Sequence, residues 1–124
     1  MQTTQQLREL ADGLERAIAQ ADDLALAQFL APPLLGQMLA AAAAIREEGG
    51  RLLPARSGLS WMLSRRPPAG PGRCWLRLRF EDLTICQYPE AATSAGAGLH
   101  ELEVDLDTRS SPWRVHRLVD VTPT

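Results

Sequence analysis

Hydrophobic positions recur every three or four residues up to Gly49-Gly50 and every second residue after it. Leu7, Leu10, Leu14, Ile18 and Ala21 form one stripe of a first helix, and Thr3 followed by Gln6 has the spacing of a capping box. Asp22 or Asp23 caps a short second helix carrying Leu26, Phe29 and Leu30. That helix must stop before Pro32, whose ring removes a donor and restricts the preceding residue. Pro33 suits the first turn of a third helix, which turns Leu34, Leu35, Met38, Leu39, Ala42 and Ile45 inward. Gly49-Gly50 ends it, because glycine adopts the positive φ that closes a last turn.

Alternation begins after Pro54, with Leu59, Trp61 and Leu63 on one face and Ser60, Met62 and Ser64 on the other. Arg65 to Gly72 is a polar, proline-rich connection. The pattern resumes at Arg73, setting Cys74, Leu76, Leu78 and Phe80 against Trp75, Arg77, Arg79 and Glu81. Leu83 and Ile85 reverse that parity, which a bulge near Glu81-Asp82 would explain. Pro89 to Gly98 is a loop of small residues. A further strand opposes His100, Leu102, Val104 and Leu106 to Leu99, Glu101, Glu103 and Asp105. The last strand, Trp113 to Val121, opposes Trp113, Val115, Arg117 and Val119 to Arg114, His116, Leu118 and Asp120. The expected fold class is α+β, with N-terminal helices packed on a strongly curved antiparallel sheet of about four strands. Leu10, Leu14, Phe29, Met38, Leu39, Leu76, Leu78, Leu102 and Val104 are the expected core.

Composition adds limits rather than a function. The 124 residues suit one domain spanning 1–124, and a net charge of −2 gives no reason to expect nucleic acid as a partner. Leu24 to Ile45 runs without a charge for long enough to cross a bilayer, but the tandem prolines interrupt it and alanine contributes little to insertion. It reads as a buried pair of helices, so no membrane span is expected. The N-terminus lacks the pattern of a secretory signal, which makes the cytoplasm the expected location. All thirteen basic residues are arginine, a bias that a G+C-rich genome explains. Cys74 and Cys86 have neither zinc nor redox spacing, so they are expected to be free thiols, with no metal and no cofactor.

The candidate chemistry is sparse. His100 alternates with apolar residues and could serve as a base inside a cone, although no nucleophile or partner acid stands at a diagnostic spacing. His116 has the same status. Asp82, Asp105 and Asp120 lie near strand ends, where carboxylates are usually solvated. Arg77 and Arg79 would form a cross-strand ladder with Glu101, Glu103 and Asp105 if their strands are neighbours. The sharper reading of Trp75, Arg77 and Arg79 is a partner-binding face, since tryptophan and arginine are enriched at interfaces. Arg65-Arg66-Pro67-Pro68 is too short to be a phosphate or polyproline motif.

Asp23-Leu24-Ala25-Leu26-Ala27-Gln28-Phe29-Leu30 and Ser111-Pro112-Trp113-Arg114-Val115, set among helices first and strands last, carry a resemblance. The chain resembles the cone-shaped domains of the nuclear transport factor 2-like superfamily. It is most similar to the variants in the mitochondrial import motor's membrane-tethering subunit and in plastid-division proteins. The resemblance implies two functional readings. The first is a non-enzymatic adaptor, assembly factor or scaffold, binding a protein partner or forming a homodimer through the open sheet face or the cone mouth. The second is a small-molecule carrier or an enzyme of isomerase, cyclase or hydrolase type, with His100 and Asp105 in the cavity.

Overall fold

The structure is a computed structural model that describes residues 2–123. Three helices, α1 (Gln2–Ala19), α2 (Asp23–Phe29) and α3 (Leu34–Glu47), precede seven strands. These are β1 (Arg51–Leu53), β2 (Arg56–Leu63), β3 (Arg73–Asp82), β4 (Ile85–Gln87), β5 (Ala92–Ser94), β6 (Gly98–Asp107) and β7 (Arg114–Asp120). The architecture is α+β, with a four-stranded antiparallel sheet in the order β2-β3-β6-β7 and a second sheet in the order β1-β4-β5.

Helix α1 buries Leu7, Leu10, Gly13 and Ala17, a stripe that meets the core from one side. Gly13 is needed there because a Cβ would collide with the Phe29 ring of α2. Helix α1 already runs at Gln2, so Thr3 lies inside its first turn rather than at a cap. Its C-terminal end is at Ala19. Ala21 leaves the stripe with φ of 52°, in the left-handed region that reverses the chain toward α2. Asp22 is the cap of α2, its Oδ1 accepting from the Ala25 N–H at 3.1 Å. Helix α3 ends as expected: Gly50 N–H donates to the Ile45 carbonyl and Gly49 N–H to that of Arg46, the double bond of a Schellman closure, with Gly49 at φ of 81°. No helix among the described residues is long and apolar enough to cross a membrane.

All nine residues of the expected core lie in or against one hydrophobic cluster, in which Leu10, Phe29, Leu76 and Val104 are buried. The helices close it on one face of the four-stranded sheet, where Leu76, Val104, Leu106 and Val115 point. Helix α3 is peripheral. Its inward residues are only half-buried, because alanine along much of its length leaves few side chains long enough to reach the core.

Several strand expectations are corrected. Leu63 belongs to the inward parity of β2 but is 74% exposed, since it ends an edge strand beyond the reach of the helices. Leu83 and Ile85 do not change parity through a bulge. Instead β3 pairs regularly to Asp82, and the chain then leaves the large sheet so that β4 can pair with β1. The bulges lie elsewhere, in β2 between Ser57 and Ser60, where Gly58 supplies φ of 68°, and in β7 at the Asp105/Leu106 step. The second bulge separates Val115 from Arg117, sending Val115 into the core and Arg117 to the opposite face. The Pro89–Gly98 segment contains β5, whose three exposed residues carry no hydrophobic alternation to reveal it.

Candidate functional site

The face of the four-stranded sheet turned away from the helices carries the chain's densest polar chemistry. Strand β3 contributes Arg73, Trp75, Arg77 and Arg79 to it, because alternate residues share a face. Strands β3 and β6 are neighbours, so the expected charge ladder forms, but its bonds run diagonally. Arg77 lies opposite Glu103 yet donates through Nε and Nη2 to Glu101 Oε2, at 3.1 and 2.7 Å. Glu103 is engaged by Ser64 Oγ and by Arg66 Nε at 3.1 Å. A guanidinium on a three-carbon stem reaches a diagonal carboxylate as readily as the one directly opposite, and the diagonal pairing leaves Glu103 to the loop after β2.

Asp105 is the anchor of this lattice and the residue that the sequence conceals. It is 0% exposed, although its position suggested a solvated carboxylate. Arg73 holds it with a two-armed contact, Nε to Oδ1 at 3.1 Å and Nη2 to Oδ2 at 2.6 Å, and Arg117 Nε approaches at 3.4 Å from β7. Arg117 reaches it only because of the β7 bulge, which strict alternation could not foresee.

Trp75 is 4% exposed despite lying outside the helix-packed core. Arg66 and Arg117 cover its ring, with guanidinium carbons 5.1 and 5.0 Å from the centroid, a distance at which a cation is attracted to the aromatic face. Of the three residues expected to bind a partner, Trp75 is therefore capped by arginines, while Arg77 and Arg79 remain partly open. The side chain of Arg79 is 59% exposed, and its nearest carboxylate contact, to Glu101, is 3.9 Å long.

Hydrogen bonds to Ser64 and Arg66 hold the Glu103 carboxyl below the usual carboxylate range. The Arg109 hydrogen bonds do the same for Asp107. Burial, aided by the nearby charge of Arg73, lowers His116. His116 Nε2 lies 3.9 Å from Asp107 Oδ2.

His100 and Asp105 are not brought together. They stand five positions apart on β6, on opposite faces of the sheet. His100 stacks against Phe80, with ring centroids 6.0 Å apart, and its Nε2 lies 2.6 Å from the Gly96 carbonyl oxygen and 3.9 Å from Asp82. Asp82 Oδ1 accepts from the Thr84 N–H, and Asp120 Oδ1 from that of Thr122, so both close turns. Cys74 and Cys86 are free thiols, and no cluster of His, Cys, Asp and Glu suited to a metal occurs among the described residues.

This fold has a solved counterpart. The crystal structure of the intermembrane space region of the chloroplast protein ARC6 is similar with a TM-score of 0.71, over 94% of this chain and 95% of that one. Identity is 13%, so the likeness is one of fold. No protein family model and no curated protein sequence matches the chain.

Proposed function

We propose that this chain is a non-enzymatic protein-interaction module, an adaptor, assembly factor or scaffold, of the nuclear transport factor 2-like superfamily. It acts in the cytoplasm on a protein partner or a second copy of itself, through the outer sheet face or the mouth of the cone. The carrying observation is that the outer face is free of helices among the described residues yet already ordered: Arg77 is fixed on Glu101, Arg73 on Asp105 and Arg66 on Glu103. Guanidinium groups held in place lose little side-chain entropy when a partner docks, and arginine is prominent among residues that dominate binding energy. The likeness to the ARC6 region supports the same reading at the level of fold.

The test replaces both Arg77 and Arg79 with glutamate and compares the variant with the parent by affinity capture from extract, sedimentation and circular dichroism. The expected outcome is loss of a captured partner or of self-association, with the spectrum unchanged. Identical capture and identical sedimentation for a folded variant would remove this face from the function.

A further inference from the structure

We infer that the free edge of β2 is a docking strand for an extended, acidic segment of another protein. This deepens the interaction reading, on which it rests for the premise that the chain binds protein. Strand β2 is the outermost strand of its sheet, and no strand pairs with its far side among the described residues. The Ser64 N–H donates to the Trp75 carbonyl at 3.2 Å, which directs the peptide groups of Ser64, Met62 and Ser60 toward β3. Peptide groups alternate along a strand, so Trp61 and Leu63 present their N–H and C=O groups outward. The bulge is confined to the Ser57–Ser60 end, leaving Ser60 to Leu63 in regular register with β3.

Edge strands usually discourage such pairing with proline, bulges or charges; in β2 the bulge and Arg56 lie at one end, and Ser60 to Leu63 carry none of these. Met62 is 61% and Leu63 74% exposed; as neighbours they offer apolar surface on both faces of the edge. Two hollows flank them, one bordered by Arg77, Arg79 and Glu101, the other by Arg65, Arg66, Pro67 and Glu103, with Glu101 held by Arg77 and Glu103 by Arg66. Main-chain bonds to the edge would supply affinity and these hollows would receive side chains, the division of labour of strand addition.

Charge selects the occupant. From Arg56 to Arg66 the sequence holds three arginines and no acid. Arg65 makes no ion pair among the described residues, and Arg79 only the long contact to Glu101. Arg56 is already paired with Asp12 and Glu15, and Arg66 with Glu103, so an antiparallel pairing of β2 with itself would offer the unpaired Arg65 no carboxylate from the facing strand. A strand bearing carboxylates would meet Arg65 and Arg79 favourably.

The probe is a fluorescein-labelled peptide of alternating glutamate and valine, with a lysine–valine peptide as control, followed by anisotropy and by amide hydrogen exchange. The glutamate peptide should bind saturably, the lysine peptide should not, and exchange should slow selectively at the Trp61 and Leu63 amides. Leu63→Pro, which removes an outward N–H and the exposed leucine side chain but no bond to β3, and Arg65→Glu should each weaken binding by about tenfold or more. Should Leu63→Pro fail to fold, the Arg65→Glu variant and the exchange pattern decide. Equal binding of both peptides, or of neither, overturns the inference. Binding without protection at Trp61 and Leu63 overturns it as well, while leaving the outer-face reading intact. Protection that instead rises with protein concentration, alongside dimer in sedimentation, would assign the edge to a second copy.

Discussion

A single carboxylate, Asp105, organises the outer face. Its burial is tolerable because Arg73 occupies both of its oxygens and Arg117 adds a third donor, so removing the carboxylate leaves the Arg73 guanidinium without its partner in a poorly solvated site. Asp105→Ala should lower the unfolding free energy by about 3 kcal/mol, the low end for a broken buried pair, since Arg73 retains some access to water. Urea denaturation measures it. A loss within about 0.5 kcal/mol, as for an ordinary surface substitution, would show that the pair is not a stabilising anchor. None of this is visible in the sequence, where Asp105 is one acid in the series Glu101, Glu103, Asp105, Asp107. Their different burial arises from the β7 bulge and the loop carrying Arg66, neither of which leaves a local signature.

At the scale of elements, equal hydrophobicity carries unequal weight. Leu76 on central strand β3 is enclosed by helices and neighbouring strands, whereas Leu63 ends the edge strand. Leu76→Ala should cost about 2 to 5 kcal/mol, whereas Leu63→Ala should cost less than about 0.5 kcal/mol. Thermal or chemical unfolding of the two variants checks the contrast, and comparable losses would contradict the assignment of β2 to an open edge. Alternation fixed the start of β3 at Arg73 and the face to which each of its residues belongs, but it carried the strand past Asp82 toward Ile85, where the chain leaves for the second sheet. It could not distinguish a middle strand from an outer one, because strand order depends on which segments meet after collapse. It also overlooked β1 and β5, whose three residues are too few to establish a period.

At the scale of the whole molecule, the outer lattice makes stability depend on pH. The carboxyl of Glu103 titrates below its ordinary value in the folded protein, so the unfolded chain takes up its proton first as acid is added. Its contribution is therefore present above about pH 4.3 and is lost as pH falls below it. His116, also lowered in the fold, contributes an earlier decline beginning near pH 6.5, because the unfolded chain again binds the proton first. Thermal midpoints from neutral to acid pH should fall in both windows; His116→Gln should flatten the upper and Glu103→Gln the lower. Unaltered profiles in both variants would dissociate these groups from acid unfolding. The sequence by itself determined the helix-then-strand order, the glycine stop at Gly49-Gly50, an aspartate cap for α2 at Asp22 or Asp23, and the inward faces of α1, β3 and β6, because each follows from bonds and periods within a few residues. Only the tertiary structure decided that Trp75 is covered by Arg66 and Arg117, that His100 and Asp105 are separated, and that β2 keeps an open edge. Those outcomes depend on sheet order, a bulge and long side chains crossing between strands, where residues distant along the chain choose their neighbours.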